Sequence, residues 1–176
     1  MKLLSSTRNK TILLLLITLV MFAGWQVGGE TMYAKVLVGT TNVVLDAATN
    51  DSHIEYKKEG SGRYHFEVHT RIDGRKAHYP QETGGLMQPF VIVLSWQIFL
   101  FFVLKRRSAI QSLLVNVAVF LLIQIIFMIM LTGYYSSDFM QYVFTMMMDS
   151  FYIIALVLVI KDQMLYQVFA KEGGAK

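Results

Sequence analysis

Four long apolar stretches constrain this chain more than any other feature of its sequence. They run approximately over Thr11–Gly28, Met87–Leu104, Ala109–Thr132 and Phe139–Ile160. A helix needs about 20 mostly apolar residues to cross the hydrocarbon core of a bilayer. The chain of 176 residues carries only 16% charged residues, against about 25% in an average soluble domain. We therefore predict an α-helical multi-pass membrane protein with four transmembrane helices.

The first apolar stretch follows Lys2, Arg8 and Lys10, and a secretory signal peptide begins in the same way. A signal peptidase needs a small-x-small pattern before its cleavage site. Around Ala23 this pattern is poor, because Met21 and Trp25 stand where small residues are wanted. We expect the first stretch to remain in the protein as an anchor.

The placement of Lys and Arg predicts the orientation of the four helices. Short basic segments at residues 1–10, 105–108 and 161–176 hold nine of the sixteen Lys and Arg residues: Lys2, Arg8, Lys10, Lys105, Arg106, Arg107, Lys161, Lys171 and Lys176. Such segments stay on the cytoplasmic side of a membrane. Both termini are thus predicted inside, with residues 29–86 and 133–138 in the periplasm, for a protein of the bacterial inner membrane.

The net charge of +4 is explained by this orientation. Neither a basic helix nor an RNA-stacking motif accompanies it, so the lipid bilayer is an expected partner and nucleic acid is not. Cysteine is absent, which excludes disulfides, thiolate metal sites and a cysteine nucleophile in this chain.

The predicted periplasmic segment divides into two parts. Residues 31–49 follow the i, i+3, i+4, i+7 spacing of a helix, although their β-branched content favours a strand. The predicted inner face consists of Tyr33, Val36, Leu37, Thr40, Thr41, Val44, Leu45 and Ala48. We favour an amphipathic helix near the outer membrane surface. Residues 53–73 alternate between apolar and polar side chains, which is typical of half-buried strands. They predict a β-hairpin with a turn at Gly60-Ser61-Gly62, so that the periplasmic insertion is a small α+β unit.

The register of this hairpin follows from the need to match apolar partners. Pairing Glu59 with Arg63 sets Tyr56 against Phe66 and Ile54 against Val68. It also sets Glu55 against Glu67, which costs repulsion, and a register shifted by two residues stays open.

The same register places His53 opposite His69, with His65 on the same face of the hairpin. One interpretation is a metal site or a pH switch, and the other is that these histidines are simply solvated. His65 and His69 lie about 13 Å apart in a strand, too far to share an ion. We assign no metal and no cofactor. Motifs of phosphate-binding, zinc-dependent or serine enzymes are missing, so we predict no catalytic residue and no enzyme.

Four polar side chains lie within the predicted spans: Gln97, Asn116, Gln124 and Asp149. Exposing them to lipid is unfavourable, by about 2.5–3.5 kcal/mol for an acid, so Asp149 should face protein. It either forms an interhelical hydrogen bond with Asn116 or Gln124, docks a polar group of another membrane protein, or relays protons. We name these four residues as candidates for intramembrane polar contacts and partner docking.

The layout of the chain resembles a known family. One apolar span, the segment YAKVLVGTTNVVLDAATN, the strand-like YHFEVHTRIDG and the spacer RKAHYPQETGGLMQPF precede the consecutive spans. This order is similar to that of the small accessory membrane proteins associated with exosortases in Gram-negative bacteria. Exosortases are multi-span cysteine transpeptidases that act on C-terminal sorting signals of exported proteins. The resemblance implies a non-catalytic companion of such an enzyme in protein sorting at the cell envelope.

Two alternatives belong to other functional classes. One is a small transporter or proton-coupled membrane subunit, and the other is a membrane-anchored periplasmic sensing module. A conduction path needs several ionisable groups at membrane depth. Asp149 alone is present there in the sequence, which favours the accessory protein.

Overall fold

The computed structural model of this protein describes residues 6–48, 51–58, 64–72, 74–82 and 84–169, without the side chain of Asp149. In this part of the chain, six helices, three strands and two short helical turns follow one another. In chain order they are α1 (Thr7–Gly24), a π-type turn (Trp25–Gly29), α2 (Glu30–Ala48), β1 (His53–Lys58), β2 (Tyr64–Ile72), β3 (Arg75–Glu82), α3 (Gly84–Met87), α4 (Pro89–Val103), α5 (Arg106–Leu131), a 3-10 turn (Tyr134–Ser136) and α6 (Asp138–Tyr166).

The fold is mostly helical with one small antiparallel sheet, as the sequence predicts. Three helical stretches of the described chain are long and apolar enough to cross a bilayer, namely Thr7–Ala48, Gly85–Val103 and Arg106–Leu131. α6 consists of two parts, Asp138–Met148 and Ser150–Tyr166, whose axes differ by 45°. It adds a fourth candidate only if both parts belong to one span, so the predicted number of four spans is not confirmed.

The helix of the first apolar stretch is followed, across a kink at Gly28, by a second helix. α1 leads through the π-type turn directly into α2, and Gly28 within this turn has a φ of +139°. Glycine adopts this backbone conformation readily, whereas residues with a Cβ rarely do. The helix predicted over residues 31–49 is confirmed as α2. Tyr33, Leu37 and Leu45 of its predicted apolar face are buried.

α2 packs against β1 and α5, and Asn42 fastens it to the sheet. The Asn42 side chain accepts a hydrogen bond from the backbone N–H of Ile54 (2.9 Å) and donates one to the Ile54 carbonyl (2.8 Å). It therefore occupies the place that a further strand would take at the open edge of β1. Val36 and Val44, which the sequence places on the apolar face of α2, are exposed.

The sheet has the strand order β1-β2-β3, with both pairs antiparallel. The predicted register of the first pair is confirmed, because Ile54 lies opposite Val68 and Tyr56 lies opposite Phe66. Ile54, Phe66 and Val68 are buried and form the inner face of the sheet. The predicted turn at Gly60-Ser61-Gly62 and the pair of Glu59 and Arg63 lie outside the described residues.

Residues 75–82, interpreted from the sequence as part of a spacer, form the third strand β3. They are mostly polar and contain Pro80, which has no backbone N–H and is tolerated at the edge of a sheet. β3 is such an edge. It contributes Tyr79 to the inner face, where this residue lies opposite Val68. The hairpin predicted from the sequence is thus two thirds of a three-stranded sheet.

The sheet sits on one end of the helix bundle. The hydroxyl of Tyr79 donates a hydrogen bond to the carbonyl of Leu131 (2.6 Å), at the end of α5. The ring of Tyr79 also packs edge-on against Tyr135, with 4.6 Å between the ring centroids. The connection between α5 and α6 therefore lies directly beneath the sheet.

The opposite end of the bundle gathers three other segments. Lys10 in α1 donates a hydrogen bond to the carbonyl of Val168, just beyond α6 (2.7 Å). Phe99 of α4 stacks on Phe169, with 5.8 Å between the ring centroids. Leu104, in the short connection from α4 to α5, packs against the apolar cluster that contains Phe99 and Phe169. The first turns of α1, this connection and the chain after α6 thus lie together.

Candidate functional site

The densest polar contacts between the helices converge on Asp162 of α6. This residue is fully buried, and its Oδ2 atom accepts four hydrogen bonds. The donors are Trp96 Nε1 (3.1 Å), Gln97 Nε2 (3.1 Å), Ser112 Oγ (2.7 Å) and Asn116 Nδ2 (2.7 Å). We call these five residues the Asp162 cluster. It joins α4, α5 and α6 at one point.

Helix geometry explains how the donors reach the same oxygen. Trp96 and Gln97 are neighbours on α4. Ser112 and Asn116 are four residues apart on α5, so their side chains lie one above the other on one face of that helix. Each of the two helices therefore presents two donors, and Asp162 on the third helix accepts from all of them.

Lys161 places a positive charge beside the Asp162 cluster. Its Nζ lies 3.3 Å from Asp162 Oδ1 and donates a hydrogen bond to Asn116 Oδ1. The Lys161 side chain is 35% exposed and that of Asp162 only 1%, so the lysine connects the buried carboxylate with the surface. The contact with Oδ1 lacks hydrogen-bond geometry, and Gln97 Oε1 also has no hydrogen-bond partner.

The chemistry of the Asp162 cluster suits a structural tie between helices. General acid–base catalysis needs a group within reach that can take or give a proton during a reaction. Around Asp162 stand an indole, two amides, a hydroxyl and an ammonium group, and the acceptor oxygen is already surrounded by donors. All four histidines of the chain (His53, His65, His69 and His78) belong to the sheet at the other end of the bundle.

The Asp162 cluster brings together two of the four polar residues that the sequence singles out, Gln97 and Asn116. Asp149 lies in α6, but its side chain is outside the described part of the structure, so the hypotheses about it stay predictions. Asp162 itself was missed, because it follows Lys161 beyond the end of the fourth apolar stretch. The available signal was the pair Ser112 and Asn116, whose spacing places two polar groups on one face of an apolar helix and calls for a polar partner.

Gln124, the fourth predicted residue, belongs to a separate contact near the sheet. Its Nε2 donates a hydrogen bond to the carbonyl of Leu86 (2.6 Å), and its Oε1 accepts one from the hydroxyl of Tyr33. The Tyr33 ring stacks on Phe90, with 4.1 Å between the centroids. Gln124, which lies on α5, therefore links this helix to α2 and to α3.

The polar face of the sheet carries a second group of charged side chains. Glu55 lies opposite Glu67, as predicted, and the Lys57 ammonium lies 2.8 Å from Glu55 Oε2 and 2.5 Å from Glu67 Oε2. Hydrogen bonds from Lys57 lower the pKa of both carboxyl groups, and the same bonds raise the pKa of Lys57. The lysine thus offsets the repulsion that the sequence implies between the two acids.

An apolar groove of about 580 Å³ opens where α1 meets α2. Val20 and Gly24 line it from α1, Trp25 from the π-type turn, and Phe90 and Leu94 from α4. At Gly24 the space that a Cβ would take is open. Because the groove offers almost no polar groups, only an apolar chain or helix surface matches it.

No protein-family model, curated protein or solved structure matches this chain. The likeness to exosortase-associated proteins therefore stays a prediction from the layout of the sequence.

Proposed function

We propose that this protein is a multi-pass protein of the bacterial inner membrane that acts as a non-catalytic accessory subunit of another multi-span membrane protein. In this proposal α1, α4, α5 and α6 cross the bilayer, with both termini in the cytoplasm and the sheet in the periplasm. The separation of segments between the two ends of the bundle supports it. The two connections predicted outside meet at the sheet, and the basic segments predicted inside meet at the other end.

The exposed apolar surface of α1 is the observation that carries the proposal of a partner. In the most apolar 18-residue window of Thr7–Ala48, 6% of the residues are buried, against 28% in α5 and 61% in Gly85–Val103. Leu19 and Val20 are 67% and 69% exposed. α1 packs mainly on α4, so lipid or a second protein must cover the rest of it.

The groove beside this surface favours a protein partner over lipid alone. Helices associate in membranes through close packing at small residues, since lipid tails are as apolar as the side chains. Gly24 leaves open space on the wall of the groove. An apolar helix of a second multi-span protein would fit against Gly24 and Val20 and cover the exposed face of α1.

The contacts of the buried polar side chains favour an accessory role over the transporter alternative. A conduction path needs a series of polar groups open to water or to a cavity. In the described residues, Gln97 and Asn116 are bound to Asp162, and Gln124 is bound to Leu86 and Tyr33. These groups tie helices together at two separate places.

We propose an exosortase-like transpeptidase as the partner, on the basis of the layout of the sequence. Such an enzyme supplies its own cysteine nucleophile, and this chain has no cysteine. The accessory protein would then position or stabilise the enzyme for protein sorting at the cell envelope. A genome that encodes this chain but no exosortase-like protein would contradict this part of the proposal.

The test compares two glycines that lie on helices and have open space at the Cβ position, Gly24 and Gly39. Gly24→Leu fills the groove, whereas Gly39→Leu adds the same side chain to α2 away from it. Each variant is co-expressed with the exosortase-like protein of the same genome, which carries the purification tag. We expect the wild type and Gly39→Leu to co-purify with it, and Gly24→Leu to be recovered about tenfold less.

Two outcomes would contradict the proposal. One is a failure of the wild type to co-purify with the transpeptidase, and the other is an equal loss of association in both glycine variants. Equal amounts of the two variants in the membrane fraction serve as the control for insertion and folding.

A further inference from the structure

A row of three histidines crosses the polar face of the sheet. His53 lies opposite His69, and His69 lies opposite His78. The rings of His69 and His78 are 6.3 Å apart between centroids, with 25° between their planes. The sequence predicted only the first of these two pairs, because the second depends on β3.

Two acids adjoin this row of histidines. One ligand atom each from Glu55, Glu67 and His69 lie within 4.8 Å of one another, and His69 Nε2 is 4.0 Å from Glu55 Oε2. The Nε2 atom of His69 is buried and has no hydrogen-bond partner. It is therefore a nitrogen ligand held next to two carboxylates without a competing hydrogen bond.

We propose that Glu55, Glu67 and His69 bind a divalent transition-metal ion of the zinc class, with His78 as the fourth ligand. Zinc takes histidine nitrogens and carboxylate oxygens at about 2.0–2.2 Å in tetrahedral geometry, which places the ligand atoms about 3.4 Å apart. The three ligand atoms lie within 4.8 Å of one another, so binding requires side-chain rotations that shorten these distances to about 3.4 Å. A mixed nitrogen and oxygen ligand set selects zinc and its neighbours over Ca²⁺ and Mg²⁺, which prefer oxygen alone.

Lys57 now provides the positive charge at this site. Its ammonium lies between Glu55 Oε2 and Glu67 Oε2, and the Lys57 side chain is 47% exposed. An incoming metal ion can therefore displace it into solvent. Solvent reaches the site directly, because Glu55 and His69 each keep 40% of their side chains exposed, and a cavity of about 450 Å³ lies beside His69 and His78.

The site is independent of the proposed partner on α1, so the two proposals stand or fall separately. The experiment uses the full chain without a polyhistidine tag, purified in detergent, and Zn²⁺ alone as the probe. Calorimetry and competition with a chromophoric chelator measure the affinity. We expect one Zn²⁺ per chain, bound about tenfold or more weaker in His69→Ala and in Glu67→Gln, and more tightly in Lys57→Met, where the competing ammonium is gone.

His65→Ala is the matched control, because His65 lies on the same strand and the same face as His69 but opposite Lys57 and Glu82. Its affinity for Zn²⁺ should equal that of the wild type. Thermal unfolding without metal shows whether each variant is folded, and added Zn²⁺ should raise the midpoint of the wild type more than that of His69→Ala.

Three results would overturn the proposal. They are the absence of saturable binding at one Zn²⁺ per chain, an equal loss of affinity in His65→Ala and His69→Ala, and an unchanged affinity in Lys57→Met.

Discussion

The Asp162 cluster and the polar face of the sheet both collect charged side chains from neighbouring elements, but they differ in burial. Asp162 is fully buried among donors from α4 and α5. Glu55 and Glu67 keep 40% and 20% of their side chains exposed beside Lys57. In the interior, the loss of one partner leaves the others unsatisfied, whereas at the surface water replaces a lost partner. The Asp162 cluster is therefore a fixed part of the fold, and the face of the sheet can exchange partners.

The largest expected effect is a loss of stability, measured when one carboxylate is removed from each region. Asp162→Ala should destabilise the protein by about 3–5 kcal/mol, because it leaves four donors without the buried acceptor that they share and removes the carboxylate beside Lys161. Glu67→Ala should have a much smaller effect, since Lys57 keeps its contact with Glu55. Thermal unfolding in detergent, followed by tryptophan fluorescence, measures both.

Asp46→Ala controls for the loss of a carboxylate as such, because Asp46 is exposed on α2. Equal destabilisation by Asp162→Ala and Asp46→Ala would show that the buried cluster does not hold the helices together.

An intermediate loss of stability is expected at Asn42, because its hydrogen bonds to Ile54 are only partly buried. Asn42→Ala removes both hydrogen bonds to Ile54 and should cost about 1–3 kcal/mol, because the backbone groups of Ile54 lose their partners. Hydrogen exchange at the Ile54 amide should become faster while the amides of α5 keep their protection. An unchanged rate at Ile54 would mean that the Asn42 side chain does not close the edge of β1.

The smallest effect is the pH dependence of the sheet. The folded-state pKa values of Glu55 and Glu67 are lowered by Lys57, so their contribution to stability is present above the unfolded value of about 4.3 and is lost as pH falls through the folded values. The pKa of Lys57 is raised, so its contribution is present below about pH 10.4 and is lost as pH rises through the folded value. Thermal unfolding between pH 7 and pH 3 should show a shallower acid loss in Lys57→Met than in the wild type. The same slope in both proteins would contradict the role of Lys57.

The same contrast shows what the sequence could predict. Strict alternation restricted β1 and β2 to registers that differ by two residues, because any of these keeps apolar side chains on one face. The structure has the register that sets Ile54 against Val68 and Tyr56 against Phe66. β3 could not be recognised, since an edge strand with Pro80 and mostly polar residues has little apolar pattern. Its side of the sheet is held by one buried tyrosine, Tyr79, whose partner lies on a distant helix.

The Asp162 cluster could be predicted only in part, for a different reason. The sequence marked Gln97 and Asn116 as polar groups that need partners in an apolar environment. It could not show which residue accepts their hydrogen bonds, because the faces at which α4, α5 and α6 meet are decided by tertiary packing. Asp162 lies next to Lys161 in a polar run, and such a run is usually solvated at the end of a span.

The proposal that this bundle spans a membrane, with the sheet on one side and the basic α4–α5 connection on the other, is tested most directly by labelling single cysteines. The chain has no cysteine, and Lys76 on β3 and Arg106 at the start of α5 are both exposed basic residues. Lys76→Cys and Arg106→Cys are treated with a membrane-impermeant thiol reagent, once in spheroplasts and once after permeabilisation. We predict that Lys76→Cys is labelled in spheroplasts and Arg106→Cys only after permeabilisation. Equal labelling of both in intact spheroplasts, or labelling of Arg106→Cys alone, would contradict the account.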